Sequence, residues 1–217
     1  MYDNQKEPVR FPINDLLCSC VDAKSNDDLH EWAQQLYGKL KPVMVTRGKW
    51  HDVLGMTFDS GIEVGSCHIL KEGHMRDMLE TWPENLNGNS PTPFWSDLFK
   101  KGAGGLLIKE SRKIFHSVVA KGIFVTKRSR PDVSPTISVL SGRGREPNKE
   151  DWWKCQRICY YLKCTIGKHL LFSDDEGLGM LNWCVDAGLP VHEEFRSHSG
   201  GVMAWSSNIG IYQTVIK

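Results

Sequence analysis

Hydrophobic residues recur at helical spacing in several stretches of this chain, and each stretch predicts an amphipathic helix. The first has apolar residues at positions i, i+3, i+4 and i+7, namely Leu29, Trp32, Ala33 and Leu36. Ser25 followed by Asp28 has the pattern of a capping box before this run, and Gly38 is placed to end the helix. Further helices are predicted over residues 73–82, 109–128, 133–140 and 148–163.

The two longest predicted helices carry apolar stripes that could form a core. The stripes consist of Ile114, Phe115, Val118, Val119 and Val125 in one helix, and of Trp152, Cys155, Ile158, Cys159 and Leu162 in the other. Lys154 and Arg157 are expected on the side of the helix over residues 148–163 that faces away from its apolar stripe. Gly122 weakens the helix over residues 109–128 by about 1 kcal/mol relative to alanine. Pro135 is compatible with the helix over 133–140 because it lies in the first turn.

Shorter runs of β-prone residues predict strands on either side of these helices. Residues 42–46 and 50–58 flank the turn signal Arg47-Gly48-Lys49, and another run covers residues 62–70, so two successive hairpins are expected. Near the other end of the sequence, residues 181–186, 200–205 and 210–217 predict a three-stranded meander, whose first strand ends at Asp186. The order of elements predicts an α+β protein.

Charge is distributed unevenly along the chain although the formal net charge is only +1. Residues 99–169 contain 16 Lys and Arg against 5 Asp and Glu, whereas residues 1–98 contain 9 against 15 and residues 170–217 contain 2 against 6. A basic middle between acidic flanks suggests a polyanionic partner, most often nucleic acid. The alternative is that these basic residues only solvate the outer faces of helices.

Several classes of protein are disfavoured by composition. No apolar run approaches the roughly 20 residues of a membrane helix, so no membrane partner is expected. The first residues are polar and do not resemble a signal peptide. The seven cysteines are odd in number and include no CxxC pair, which favours a reduced intracellular compartment, either cytoplasmic or nuclear.

Five stretches of the sequence together resemble the Pol protein of copia-type retrotransposons. They read VTRGKWHDVLGMTFD (45–59), TPFWSDLF (92–99), FHSVVAKGIFVTKRSRPD (115–132), DWWKCQRICYYLKCT (151–165) and WCVDAGLPVHEEFRSHSGGVM (183–203). Their order and spacing are similar to the family's over residues 14–217, nearly the whole chain. The resemblance implies the C-terminal part of a reverse transcriptase followed by the start of a ribonuclease H.

The resemblance also implies a division of the chain into three parts. Residues 1–60 correspond to a palm remnant with β-hairpins and the primer-grip hairpin. Residues 61–177 correspond to a helical thumb-like body that includes the connection. Residues 178–217 correspond to the N-terminal part of a ribonuclease H-like domain, a truncated β-meander. An incomplete meander is expected to expose apolar strand surface and to allow self-association through its edge.

The family's two activities both use carboxylates that hold divalent metal ions, usually Mg²⁺. Asp15 matches the second carboxylate of the polymerase motif Tyr-Val-Asp-Asp, but Asn14 stands where the family has the first. Asp186 matches the first carboxylate of ribonuclease H. Asp15 and Asp186 are therefore the implied catalytic and metal-binding residues, and both carboxylate sets are incomplete in this sequence.

Nucleic-acid contacts are implied at two further places. Leu54, Gly55 and Met56 match the primer grip, where glycine lets the backbone approach nucleic acid closely. The basic residues expected to contact phosphate are Arg112, Lys113, Lys127, Arg128, Arg130, Arg143, Lys154 and Arg157. The partners implied are RNA, DNA and RNA–DNA hybrid.

The sequence thus predicts a fragment of a copia-type RNA-directed DNA polymerase and ribonuclease H that is inactive on its own. Two alternatives stay open. The chain could be a non-catalytic nucleic-acid-binding module kept for its basic helices, or an expressed retroelement relic without function. Salt-sensitive binding of nucleic acid would argue against a relic.

Overall fold

The computed structural model describes residues 23–39, 41–62, 65–100, 102, 104–173, 181–188 and 198–205. Asp15 and the strand predicted over residues 210–217 lie outside these described residues. Within them the chain is a mixed α+β protein with antiparallel sheets, as predicted. No helix in this part of the chain is long and apolar enough to span a membrane.

Five α-helices and six β-strands make up the described fold. The helices are α1 (Ala23–Tyr37), α2 (Glu72–Glu80), α3 (Lys109–Thr126), α4 (Ser134–Gly142) and α5 (Lys149–Cys164), and a 3₁₀ turn, Pro131–Val133, precedes α4. The strands are β1 (Trp50–Val53), β2 (Met56–Asp59), β3 (Ser66–Leu70), β4 (Leu170–Ser173), β5 (Leu181–Gly188) and β6 (His198–Trp205). All five predicted helices are confirmed, with ends that differ by a few residues.

The helical body consists of α2 to α5, which pack around one hydrophobic core. Among its most deeply buried side chains are Met75, Met78, Phe115, Val118, Ile137, Leu140, Ile158 and Leu162. The predicted stripes of α3 and α5 therefore face the core. At Gly122 a Cβ atom would lie 2.4 Å from Ile137 Cδ1, so this glycine is what allows α3 and α4 to approach closely.

Helix α5 begins at a capping box, which confirms the predicted start. The Asn148 side chain accepts a hydrogen bond from the backbone N–H of Asp151 at 2.9 Å, and Asp151 Oδ2 accepts one from the backbone N–H of Asn148 at 3.1 Å. These bonds satisfy N–H groups that have no partner within the helix. The capping box predicted at Ser25 is wrong as a helix start, because α1 already begins at Ala23.

The larger sheet has four antiparallel strands in the order β1-β2-β3-β4. Its first hairpin turns at Leu54 and Gly55, which both have positive φ, 51° and 66°. Such two-residue turns match the twist of the strands they join. Strand β4 follows α5 and returns to pair with β3. Strand β2 pairs with β3 on its other side, so the sheet joins residues on both sides of the predicted boundary at residue 60.

The hairpin predicted across Arg47-Gly48-Lys49 is wrong, because residues 42–46 form no strand. Side chains of α1 bond the backbone of this segment instead. Gln34 Oε1 accepts a hydrogen bond from the N–H of Val43 at 2.8 Å, and His30 Nε2 lies 3.3 Å from the carbonyl oxygen of Val43. These contacts occupy backbone groups that a strand would have used for its ladder.

Strands β5 and β6 form a separate two-stranded sheet in which Asp186 pairs with Gly200. The predicted strand through Asp186 is confirmed, although it continues to Gly188. Trp183 and Val185 lie on one face of β5 and are both exposed. This agrees with the expected exposure of apolar strand surface, and self-association through the sheet stays a prediction.

Candidate nucleic-acid interface

The basic residues predicted to contact phosphate have very different environments. Arg130 is only 2% exposed. Its Nε and Nη2 donate to the two carboxylate oxygens of Asp132 at 2.9 and 2.7 Å, and its Nη1 and Nη2 donate to the carbonyl and hydroxyl oxygens of Thr165 at 2.8 Å. Arg130 therefore ties the segment after α3 to the end of α5, and its charge is not available at the surface.

The carboxylate beside Arg130 is held in its ionised form. Burial alone would raise the pKa of Asp132, but the hydrogen bonds and charge of Arg130 bring that pKa below its ordinary value of 3.8. The Tyr161 hydroxyl donates a further hydrogen bond to Asp132 Oδ2 at 2.7 Å. This network stabilises the body and belongs to the fold, not to a binding surface.

Lys154 is also buried, so the prediction that it lies on the exposed side of α5 is wrong. It is 7% exposed, and its Nζ donates to the carbonyl oxygens of Leu98 at 3.2 Å and Lys100 at 2.7 Å. Burial lowers the pKa of Lys154. The loop before α3 covers this lysine, which anchors the loop to α5 and does not point to a ligand.

The remaining predicted cations lie at or near the surface. Lys113 and Lys127 are exposed, and Arg112, Arg128, Arg143 and Arg157 are half-buried. Arg143 donates through Nη2 to the carbonyl oxygen of Phe99 at 3.0 Å. These six residues retain surface charge, and one of them lies beside a cation that the sequence did not single out.

That cation is Lys71, which shares an aromatic ring with Arg128. The Lys71 Nζ lies 4.4 Å from the centroid of the Phe124 ring, and the Arg128 Cζ lies 3.7 Å from it. Cations over the face of an aromatic ring are attracted by its quadrupole. Phe124 lies in the last turn of α3, Arg128 follows that helix, and Lys71 links β3 to α2. The three side chains form what we call the cation cluster.

The predicted primer-grip turn lies directly against this cluster. A Cβ atom on Gly55 would be 3.0 Å from Lys71 Nζ, so the turn backbone and the ammonium group are neighbours. Leu54 and Gly55 are exposed, and Met56 is half-buried at the start of β2. The fold thus places Gly55 beside Lys71, which shares the Phe124 ring with Arg128, a second predicted residue far from Gly55 in sequence.

The cation cluster is a positively charged and partly dehydrated site. Lys71 is only 5% exposed, and burial, followed by the charge of Arg128, lowers its pKa. Burial and then the charge of Lys71 likewise lower the pKa of His74, whose ring lies 4.7 Å from that of Phe124. Arg130 and Lys154 are equally buried, but their side chains already donate to carboxylate, hydroxyl or carbonyl oxygens. Within the described part of the chain, the Lys71 and Arg128 side chains donate no such hydrogen bond and form no ion pair with a carboxylate. Buried charges in proteins are normally paired, so this site favours an anion.

The sequence alone did not reveal Lys71. It lies outside the basic segment and is followed by Glu72, so local charge gives no signal. Its place between the end of a strand and the start of a helix is visible in the sequence. Its proximity to Phe124 depends on how α2 packs against α3, which no local pattern specifies.

The described residues do not form a magnesium site. Asp186 is exposed on β5 opposite Gly200. Across the described ranges, no three His, Cys, Asp or Glu side chains lie close enough together to hold a metal ion. The magnesium expectation attached to Asp15 and Asp186 stays a prediction, and no reaction step is derived from it.

Comparison with known proteins identifies no relative of this chain. No protein-family model matches it, no curated protein matches its sequence, and no solved structure matches its fold. The resemblance to copia-type Pol therefore rests on the sequence motifs described above.

Proposed function

We propose that this chain is a segment of a copia-type reverse transcriptase that binds the sugar–phosphate backbone of nucleic acid through the cation cluster. The observation that carries the proposal is the pair of cations, Lys71 and Arg128, that share the Phe124 ring beside an exposed glycine turn. A phosphate group would supply a negative charge that none of the described residues pairs with Lys71 or Arg128. The glycine at position 55 leaves room for a backbone to approach.

The substrate class follows from the surrounding charge and from the resemblance. Residues 99–169 carry 16 basic against 5 acidic residues, which favours a long polyanion over a single phosphate. The copia-type motifs make an RNA–DNA hybrid the preferred partner, encountered in the cytoplasm or the nucleus. Phosphate contacts of this kind give affinity without reading sequence.

We propose binding without nucleotide addition. Asn14 stands in the position of the first polymerase carboxylate, and an amide lacks the charge that a carboxylate offers a divalent ion. Nucleotide incorporation by the purified chain that disappears on Asp15→Asn would overturn this part of the proposal.

The test is a titration of a labelled RNA–DNA hybrid at several salt concentrations, with EDTA present so that binding is measured apart from chemistry. Each phosphate contact contributes about −0.9 to the slope of log K against log salt concentration. Lys71→Met and Arg128→Met are each expected to make this slope about one unit shallower. Both substitutions keep an unbranched apolar stem while removing the charge.

Lys113→Met is the matched control, because Lys113 is exposed on the same helix as Phe124 but lies about three turns away along the helix. It is expected to change the slope less than either cluster substitution. If Lys113→Met weakens binding as much as Lys71→Met, the affinity belongs to a general basic face and the cluster has no special role. Binding that does not depend on salt would refute phosphate contact altogether.

A further inference from the structure

Two adjacent aromatic side chains, Phe94 and Trp95, project from the loop between α2 and α3. The two rings are 44% and 48% exposed. We call this pair the aromatic platform. Large exposed aromatic rings are common where a flat or apolar ligand binds.

The loop that carries the platform is held in place by hydrogen bonds. Ser90 Oγ donates to the carbonyl oxygen of Thr92 at 2.7 Å, and Thr92 Oγ1 donates to that of Phe94 at 3.0 Å. Thr136 of α4 donates to the carbonyl oxygen of Pro93 at 3.3 Å. The rings are therefore presented by a braced segment whose order does not depend on a ligand.

A basic side chain lies against one of the two rings. The Arg157 Cζ is 4.5 Å from the centroid of the Trp95 ring, and its Nη2 donates to Thr92 Oγ1 at 2.8 Å. The acid nearest in sequence to the platform, Asp97, is paired with Lys100 Nζ at 2.8 Å, so it does not cancel the charge of Arg157. The platform thus combines stacking surface with a fixed positive charge.

We propose that the aromatic platform binds an unpaired nucleotide, with the base stacked on Trp95 and Arg157 facing its phosphate. Proteins that bind single strands combine aromatic stacking surfaces with neighbouring cations, because every base offers a π-face and every nucleotide a negative charge. A protein partner would also cover exposed rings, but it would not require Arg157. The inference rests on the proposed function, since it names a second nucleic-acid form, an unpaired strand, for the same chain.

The experiment compares two single-stranded DNA probes of equal length and charge. One is oligo-dT of about 12 nucleotides, within the roughly 4–16 nucleotides that such sites occupy, and the other is the same backbone with abasic residues throughout. The wild-type chain is expected to bind oligo-dT about tenfold more tightly than the abasic probe. Trp95→Ala is expected to abolish this difference and Trp95→Phe to retain part of it.

Trp32→Ala is the matched control, because Trp32 is 54% exposed but lies on α1, outside the helical body that carries the platform. It is expected to leave the preference for oligo-dT unchanged. Arg157→Gln is expected to weaken binding of both probes and to make the salt dependence shallower. Circular dichroism of each variant checks that its fold is intact.

The outcomes separate this inference from the proposed function. Salt-sensitive binding of hybrid without any preference for oligo-dT would agree with phosphate binding at the cation cluster. It would overturn the inference that the aromatic platform binds a base. A preference lost in Trp95→Ala but kept in Lys71→Met supports the platform whatever the hybrid titration shows. Equal loss of preference in Trp95→Ala and Trp32→Ala, or no binding of either probe, would also overturn it.

Discussion

Arg128 and Arg130 are two residues apart in sequence but have opposite environments, so replacing each with methionine should separate binding from stability. Arg130→Met removes a buried guanidinium that donates four hydrogen bonds to oxygen, two to Asp132 and two to Thr165, and one to the sulfur of Met75. Arg128→Met removes a half-buried guanidinium that stacks on Phe124. The first change is expected to destabilise the fold and the second to weaken binding.

The magnitude for Arg130 follows from its contacts. Hydrogen bonds to charged groups contribute about 1.5–3 kcal/mol each but are not additive, and removing one partner of a buried ion pair costs about 3–5 kcal/mol. The Asp132 side chain keeps about a third of its exposure, so water can replace part of what it loses. We therefore expect Arg130→Met to lower the free energy of unfolding by about 3 kcal/mol, a large share of the roughly 5–15 kcal/mol of a typical domain.

Arg128→Met loses one cation–π contact, so its stability cost should stay near 0.5–1 kcal/mol. Urea unfolding followed by far-UV circular dichroism measures the free energy of unfolding of both variants. The salt titration of hybrid binding measures how much each substitution weakens binding. An Arg130→Met chain that is less than about 1 kcal/mol destabilised, yet binds hybrid with a shallower salt slope, would refute this reasoning. It would mean that Arg130 reaches phosphate, as the sequence alone suggested.

Glycine packing and acid sensitivity give two further tests, both read from urea unfolding. Gly122→Ala should lower the free energy of unfolding by about 1–3 kcal/mol, because its methyl group would lie 2.4 Å from Ile137 Cδ1. Gly73 in α2 has open space around it, so Gly73→Ala should raise the free energy of unfolding by about 0.5 kcal/mol. Equal midpoints for the two variants would contradict the close approach of α3 and α4. Burial alone would raise the pKa of Asp132, but Arg130 lowers it below its ordinary value. The ionised carboxylate therefore stabilises the fold above about pH 4, and this stabilisation is lost as pH falls through the lower folded-state pKa. Asp132→Asn should therefore be less stable than wild type by a constant amount from about pH 5 to 7. That difference should shrink below about pH 4, and a difference independent of pH would count against the ion pair.

The helices were predictable because their signals are local. The stripe of α3 repeats at helical spacing, and the cap at Asn148 lies next to the helix it starts. Periodicity also predicts which face of each helix packs on the core, but it does not predict what covers the opposite face. That limit explains the error at Lys154, where residues of a loop about 55 positions earlier in the chain receive the ammonium group.

The sheet and the cation cluster were harder to predict because both depend on contacts between distant residues. Strand β4 is four residues long and has no alternation that would identify β3 as its neighbour. The predicted primer-grip turn and Arg128 were each singled out from the sequence, but Lys71, which contacts both regions, was not. Only the packing of α2 on α3 brings Lys71 to Phe124. The residue types in the sequence therefore identified candidate phosphate-binding residues, and tertiary packing determines which of them lie close together.

The pairing of β3 with β4 has a consequence for the chain during its synthesis. A ribosome makes β3 first and must then add about 100 residues before β4 emerges, which takes on the order of 5–20 seconds at typical elongation rates. Throughout that interval the open edge of β3 offers unpaired N–H and C=O groups to any neighbouring nascent chain. The interval covers the whole helical body, so α2 to α5 can assemble before the sheet closes. Polysomes translating this message would thus be the place where unwanted strand pairing is most probable, and where a chaperone that shields extended segments would have the most effect.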